Sequence, residues 1–433
     1  MIRTLTVLIT VACLTASSAV VEADDEAIEN WHQWRGPLGT GSVPGGNPPY
    51  EWSEENNIKW KIPLPGIGYA TPAVWGNSIF VSTAVPPDNY SPPSRGEKPT
   101  QTVKYVVLAL DRNTGDVLWE RLACEEIPHE GHHNTSTWAT CSPVTDGRNV
   151  YAFFGSRGLY CYTVGGDLLW EKDFGDMSIR RAFGEGASPA LYKDRLVVNW
   201  DHEGQSSIMV LDTSSGKELW RKNRDEVTSW MTPLIVEVSD RVQVITSATG
   251  RVRSYDLATG DVLWEGEGLT ANVIPSPVEA DGVVYVISGH RGSALRAIRL
   301  SEAKGNIDGT SAVLWSYNQD TPYVPSPLLH NGVLYFLKSN RGILTSIDVL
   351  SGKPHYAGQR LENIRDLYAS PVGVQDRVYF LSRDGVAMVI RHGSNYEVLA
   401  TNTLDDKFDA SPVIVGDELF LRGHRHLYCI AQK

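Results

Sequence analysis

A Ser or Thr followed by Pro recurs at Thr71, Ser142, Ser188, Thr232, Ser276, Ser326, Ser370 and Ser411. After the first copy the spacing settles to 41–50 residues. Self-similarity at such a period marks a fold assembled from repeated units, each of which buries its apolar face against the next. The first gap is longer because Ala84–Lys104 and Leu122–Thr137 read as insertions.

Each copy is followed by a short turn and an alternating apolar segment: Ser78–Thr83, Asn149–Phe154, Arg195–Trp200, Arg241–Thr246, Val283–Ser288, Val333–Lys338, Arg377–Ser382 and Glu418–Gly423. A second alternating segment follows each, from Val106–Asp111 in the first copy to His426–Ile430 in the last. Period-2 alternation of β-branched and aromatic residues predicts strands. A Gly then precedes an aromatic residue by four positions, as in Gly115/Trp119, Gly166/Trp170, Gly216/Trp220, Gly260/Trp264 and Gly352/Tyr356. Glycine permits the positive φ of a tight turn, and the ring is predicted to pack between neighbouring sheets. The seventh copy has no Trp in this slot.

Four strands per copy predict an all-β chain, an eight-bladed β-propeller of four-stranded antiparallel blades. The last copy ends without its aromatic strand, and Asn57–Leu64, with Trp60 in the aromatic slot, can supply it. Closing the ring with both ends of the repeat removes exposed sheet edges. The predicted organisation is a leader at 1–23, an extension at 24–56 and the propeller at 57–433.

The runs DRNTGDVLW from Asp111, DTSSGKELW from Asp212 and DLATGDVLW from Asp256, together with WHQWRG at Trp31–Gly36, resemble the quinoprotein-type propeller repeat of exported bacterial proteins. The likeness covers roughly residues 30–433. It implies the fold, and it points to two activities. Quinone-dependent alcohol dehydrogenases of this type hold pyrroloquinoline quinone and calcium. Their adjacent Cys pair is absent here, and no local motif accepts their calcium ligands or catalytic Asp. The outer-membrane assembly lipoproteins use a similar ring as a non-catalytic scaffold.

Compartment follows from the first residues. Arg3, an apolar run at Leu5–Ala12 and small residues at Ala16–Ala19 read as an export signal. The run is too short to span a bilayer, and Cys13 lacks the Leu three places earlier that a lipidation site requires. The mature chain is expected in the periplasm or outside the cell, with no transmembrane segment. A net charge of −12 argues against a nucleic-acid partner.

In such a ring the turns between the two middle strands share one face with the blade-to-blade loops. Those turns carry Arg157, Arg251, Arg291, Arg341, Arg383 and Arg425, and nearby loops add Arg180, Arg181, Arg224 and Arg365. Arginine forks match carboxylate, sulfate and phosphate groups. This collar predicts a face for a protein or an anionic ligand such as a glycan or phosphate. Glu185, Asp225, Asp320, Asp366 and Asp409 lie in loops of the same face and offer local pairing instead. Asp201 sits in an acidic-His loop there, and Trp230 and Tyr323 are expected to line the central channel. His129, His132 and His133 in the second insertion are candidate metal ligands. Cys124 and Cys141 flank that insertion and are the candidate disulfide, whereas Cys161 and Cys429 fill a slot that wants a small buried side chain.

The leading functional expectation is therefore an exported non-catalytic scaffold, with no cofactor. The alternatives are an oxidoreductase of alcohols or sugars using pyrroloquinoline quinone with calcium, and a polysaccharide-acting enzyme built around the channel.

Overall fold

The computed structural model describes residues 26–91 and 97–432, so the expected leader lies outside the described residues. Eight sheets surround a central axis. In blade 1 the strands run Ala73–Trp75, Ser78–Val85, Val103–Asp111 and Val117–Glu126, from the axis outward. Blade 3 repeats the plan with Ala190–Tyr192, Arg195–Trp200, Ser207–Asp212 and Glu218–Asn223. The ring closes in blade 8, where Ile58–Pro63 pairs antiparallel with His426–Ile430 and sets Trp60 opposite Cys429. The predicted closure and the antiparallel four-stranded plan therefore hold. Two sheets gain a short fifth strand that the repeat does not announce. Ser42–Val43 lies parallel to the innermost strand of blade 7, and Gly305–Asn306 lies parallel to the outer strand of blade 4.

The ring explains the Ser/Thr-Pro signature. The backbone N–H of each Ser or Thr donates to the hydroxyl of its counterpart in the next blade. Thr71 donates to Ser142 at 3.0 Å, and the series continues through Ser188, Thr232, Ser276, Ser326 and Ser370 to Ser411. Ser411 then donates to Thr71 Oγ1 at 3.1 Å and completes the circle. Every member is buried, so each bond satisfies a donor that would otherwise cost about 1–3 kcal/mol.

The Gly–Trp spacing does a second job between blades. The Gly of each turn lies under the Trp of the preceding blade. A Cβ on Gly216, at φ 66°, would sit 2.6 Å from the Trp170 ring, and one on Gly352 would sit 2.6 Å from Trp315. The indole N–H then donates across the joint: Trp60 to Arg112 O, Trp119 to Val164 O, Trp170 to Thr213 O and Trp220 to Leu257 O. Trp264 departs, donating to Gln243 within its own blade.

Residues 26–56 do not hang free. Trp31 bridges to Val74 of blade 1, and the His32 carbonyl accepts from Thr145 of blade 2. Trp34 reaches the axis and donates to Ser276 Oγ at 3.0 Å. Arg35 is buried and donates through Nη2 to the carbonyls of Thr40, Pro327 and Pro371. The chain then adds its strand to blade 7 and stacks Trp52 on Tyr379 before entering blade 8. This segment closes the channel on the face bearing the first and third hairpin turns, here called the hairpin face.

Candidate functional site

The opposite face carries the middle turns and the blade-to-blade loops. There the second insertion folds over the channel: Asn134 O accepts from Arg383 Nη2 of blade 7, and Thr135 lines the axis. Between Thr135 and Trp34 lies a chamber of about 110 Å³ walled by the ring hydroxyls, Tyr69, Trp230, Val324, Tyr368 and Asp409. That is below the roughly 300–1,000 Å³ of sites for drug-sized ligands. Asp409, its one carboxylate among the described residues, is ion-paired to Arg383 and to His424. These residues do not fit a quinone cofactor with calcium, nor a pair of acids for glycoside chemistry.

The collar of arginines divides into two groups. Arg157 pairs with Glu126 and Asp176, Arg251 with Asp308, Arg383 with Asp409, and Arg425 with Asp405 and Asp406. Arg224 is wholly buried on Asp201, whose carboxylate also takes the Ser229 hydroxyl. Asp201 is thus a structural ion of blades 3 and 4 and is not available to a ligand, against expectation. Arg291 and Arg341, by contrast, form no ion pair among the described residues and stand exposed. The same holds for Arg180, half-buried, and for Arg181 and Arg365, both exposed. All five belong to blades 5 and 6 or to the connections into blades 3 and 7.

The unpaired group has further features. Arg181 and Arg291 take φ of 55° and 54°, a left-handed backbone rare for residues with a side chain. His290 stacks on Tyr323 at 4.2 Å, and burial followed by the charges of Arg291 and Arg180 holds its imidazole below the usual pKa. Tyr323 is committed to this stack and does not line the chamber. Trp230 does line it, and its indole donates to Gly184 O at 2.6 Å.

The insertion histidines do not converge. His132 Nδ1 contacts the His133 carbonyl and packs edge-on to Trp138 at 4.5 Å, while His133 turns to Thr135 and Phe183. Only His129 points inward, where it meets Glu130 and Glu185. Burial pushes the Glu185 carboxyl up to about 7, against the Ser156 hydrogen bonds and the His129 charge. Glu185 comes from the next connection, so its adjacency to His129 had no signal in the sequence.

The expected Cys124–Cys141 bridge is also corrected: both are free thiols. Cys124 lies on the outer strand of blade 1 and donates to Arg157 O, whereas Cys141 packs with Tyr151 and Phe153 near the axis of blade 2. The width of a blade separates inner from outer strand, and a disulfide needs Cα atoms within about 7 Å.

A sequence model of the family described as outer membrane protein assembly factor BamB matches residues 103–272 and 204–433. A protein of that name from Francisella salina is 27% identical over 100 residues. That match takes in 23% of this chain and spans 18% of the curated relative's own length. Among solved structures, a europium-containing methanol dehydrogenase superposes with a TM-score of 0.66 at 10% identity, covering 96% of this chain and 100% of that one. BamB from Moraxella catarrhalis superposes with a TM-score of 0.55 at 12% identity, covering 86% and 97%. At such identities the structural likeness establishes the fold alone.

Proposed function

We propose, from the premise that this chain belongs to the family described as outer membrane protein assembly factor BamB, that it is an exported non-catalytic ring docking an acidic protein segment on its middle-turn face. One observation carries the reading. On a chain of net charge −12, the side chains of Arg180, Arg181, Arg291, Arg341 and Arg365 form no ion pair among the described residues. Unpaired guanidinium groups raise local potential and draw carboxylates of a partner into bidentate contact. The middle-turn arginines of blades 2, 4, 7 and 8 are already neutralised, so the attraction rests on the unpaired five. Among the described residues no helix is long and apolar enough to cross a membrane. Export rests on the expected leader at 1–23, and N-terminal sequencing of the secreted protein checks it.

The docking test uses a fluorescent poly-glutamate peptide as probe. Replacing Arg180, Arg291, Arg341 and Arg365 together by Gln should weaken binding at least tenfold and flatten its salt dependence. Replacing the paired Arg157 and Arg425 by Gln should change binding less than twofold. Equal loss in the two variants, or none in the first, overturns the reading. The quinone-enzyme alternative is tested separately, by adding pyrroloquinoline quinone and calcium and following dye-linked alcohol oxidation. Stoichiometric uptake with turnover would replace the scaffold reading.

A further inference from the structure

We propose that His129, Glu130 and Glu185, together with the Met177 carbonyl, form a binding site for one divalent transition-metal cation of the manganese-to-zinc class. The site is independent of the arginine sector.

Its geometry is that of a nearly assembled ligand shell. One ligand atom from each of the three side chains lies within 4.8 Å of the other two. His129 Nε2 is 3.9 Å from Glu130 Oε1, 3.8 Å from Glu185 Oε1 and 2.7 Å from Met177 O. Ligands held at about 2.0–2.2 Å from a common ion stand roughly 3–3.5 Å apart, so the two carboxylates have to draw in toward Nε2 by about 0.5–1 Å and the Met177 carbonyl has to move off by a few tenths of an ångström. The three half-buried side chains border a small, partly open space of about 20 Å³, together with Thr137, Ser156 and Trp138. That is room for a single water or ion. One imidazole nitrogen with three oxygens is a borderline donor set, which suits manganese or zinc better than calcium.

Outer contacts hold each ligand in place. Asp176 Oδ1 lies 3.6 Å from His129 Nδ1, on the side away from the two glutamates. An ion on Nε2 requires the ring proton on Nδ1, and Nδ1 is the nitrogen that faces the Asp176 carboxylate. The Ser156 N–H and hydroxyl donate to the two oxygens of Glu185 at 2.7 and 2.5 Å, and the Ile179 N–H donates to Glu130 Oε1 at 2.9 Å. Carboxylate oxygens accept more than one partner, so these bonds survive ion binding. Gly155, at φ 58°, makes way for Glu185: a Cβ there would lie 1.5 Å from Oε2. The nearest guanidinium, Arg157, is spent on Glu126 and Asp176. Two half-buried carboxylates thus share a pocket whose one uncommitted basic group is an imidazole, and a fixed cation supplies the missing positive charge. Without the ion, Nε2–H donates to Met177 O; on binding, the neutral ring carries its one proton on Nδ1 instead and the carbonyl turns to the ion.

The test is calorimetric titration of the full chain with Mn²⁺ and, separately, with Zn²⁺, supported by the Mn²⁺ electron paramagnetic resonance signal. The expected result is one saturable equivalent for wild type. Glu185→Gln and His129→Gln should each weaken binding at least tenfold, and His132→Ala/His133→Ala should bind as wild type does. Thermal unfolding in EDTA checks each variant; where Glu185→Gln fails to fold, Glu130→Gln takes its place. Absence of saturable binding by either ion overturns the proposal. So does unchanged affinity in the Glu185 or Glu130 variant, or loss confined to the His132/His133 variant, which would mark a loop chelating ions adventitiously.

Discussion

Arginines on the two faces of this ring can be handled in opposite ways, as Arg35 on one and Arg291 and Arg341 on the other show. On the hairpin face Arg35 is buried without any carboxylate; three backbone carbonyls receive it, and burial lowers its pKa to about 9. Its charge serves to tie the crossing segment to blades 6 and 7. On the middle-turn face Arg291 and Arg341 are exposed, and their side chains form no ion pair among the described residues. The first arrangement stabilises a closed structure. The second contributes almost nothing to folding, because a solvated guanidinium needs no partner, and so it is free to serve binding. A buried polar group with local acceptors is architecture, and an exposed one without them is an invitation.

Substitutions should separate the faces by the size of their effect on stability. The largest loss is expected for Arg35→Ala, which strips three carbonyls of their donor and loosens the seal, at about 3 kcal/mol. Chemical denaturation measures it, and a loss under about 1 kcal/mol would mean that the crossing segment is held by its tryptophans alone. Next comes Ser276→Ala, at about 2 kcal/mol, because Thr232 N–H and the Trp34 indole N–H both lose their acceptor. An unchanged midpoint would show that the hydroxyl circle is dispensable.

A pH effect of about 2 kcal/mol between pH 7 and 5 should follow from His32, whose pKa burial lowers to about 4. The unfolded chain takes up this proton near pH 6.5, whereas the folded one resists it until about 4. Stability from this residue is therefore full at pH 7 and falls as pH drops through that window. His32→Gln should flatten the slope of unfolding midpoint against pH between 7 and 5, and an identical slope would sink the assignment. The smallest effect is expected for Arg291→Gln with Arg341→Gln, within about 0.5 kcal/mol of wild type. A larger destabilisation would place these arginines with Arg35 and erase the contrast between the faces.

Much of the architecture could be read in advance, because each strand announces itself by local alternation and each joint by a fixed spacing. The middle strands lie within a residue or two of their expected ends in most blades; Val103–Asp111 starts earlier because the first insertion lengthens its hairpin. The hydroxyl circle was visible only as a recurring Ser/Thr-Pro pair with no role attached. WHQWRG at Trp31–Gly36 stood out, but nothing local to it shows that it crosses the axis to blade 7. The histidine cluster shows the same limit. Three histidines close in sequence invite a common ligand, yet a loop without helical period sends their rings in different directions.

What the sequence determined alone was everything that depends on periodicity: the strands, their number per unit, the eightfold count and the strand that seals the ring. Only the tertiary structure decided which charges are neutralised, that Glu185 faces His129 and that Cys124 and Cys141 stay apart. Those are encounters between residues of different blades. Ring closure sets them, through distances that no local pattern encodes.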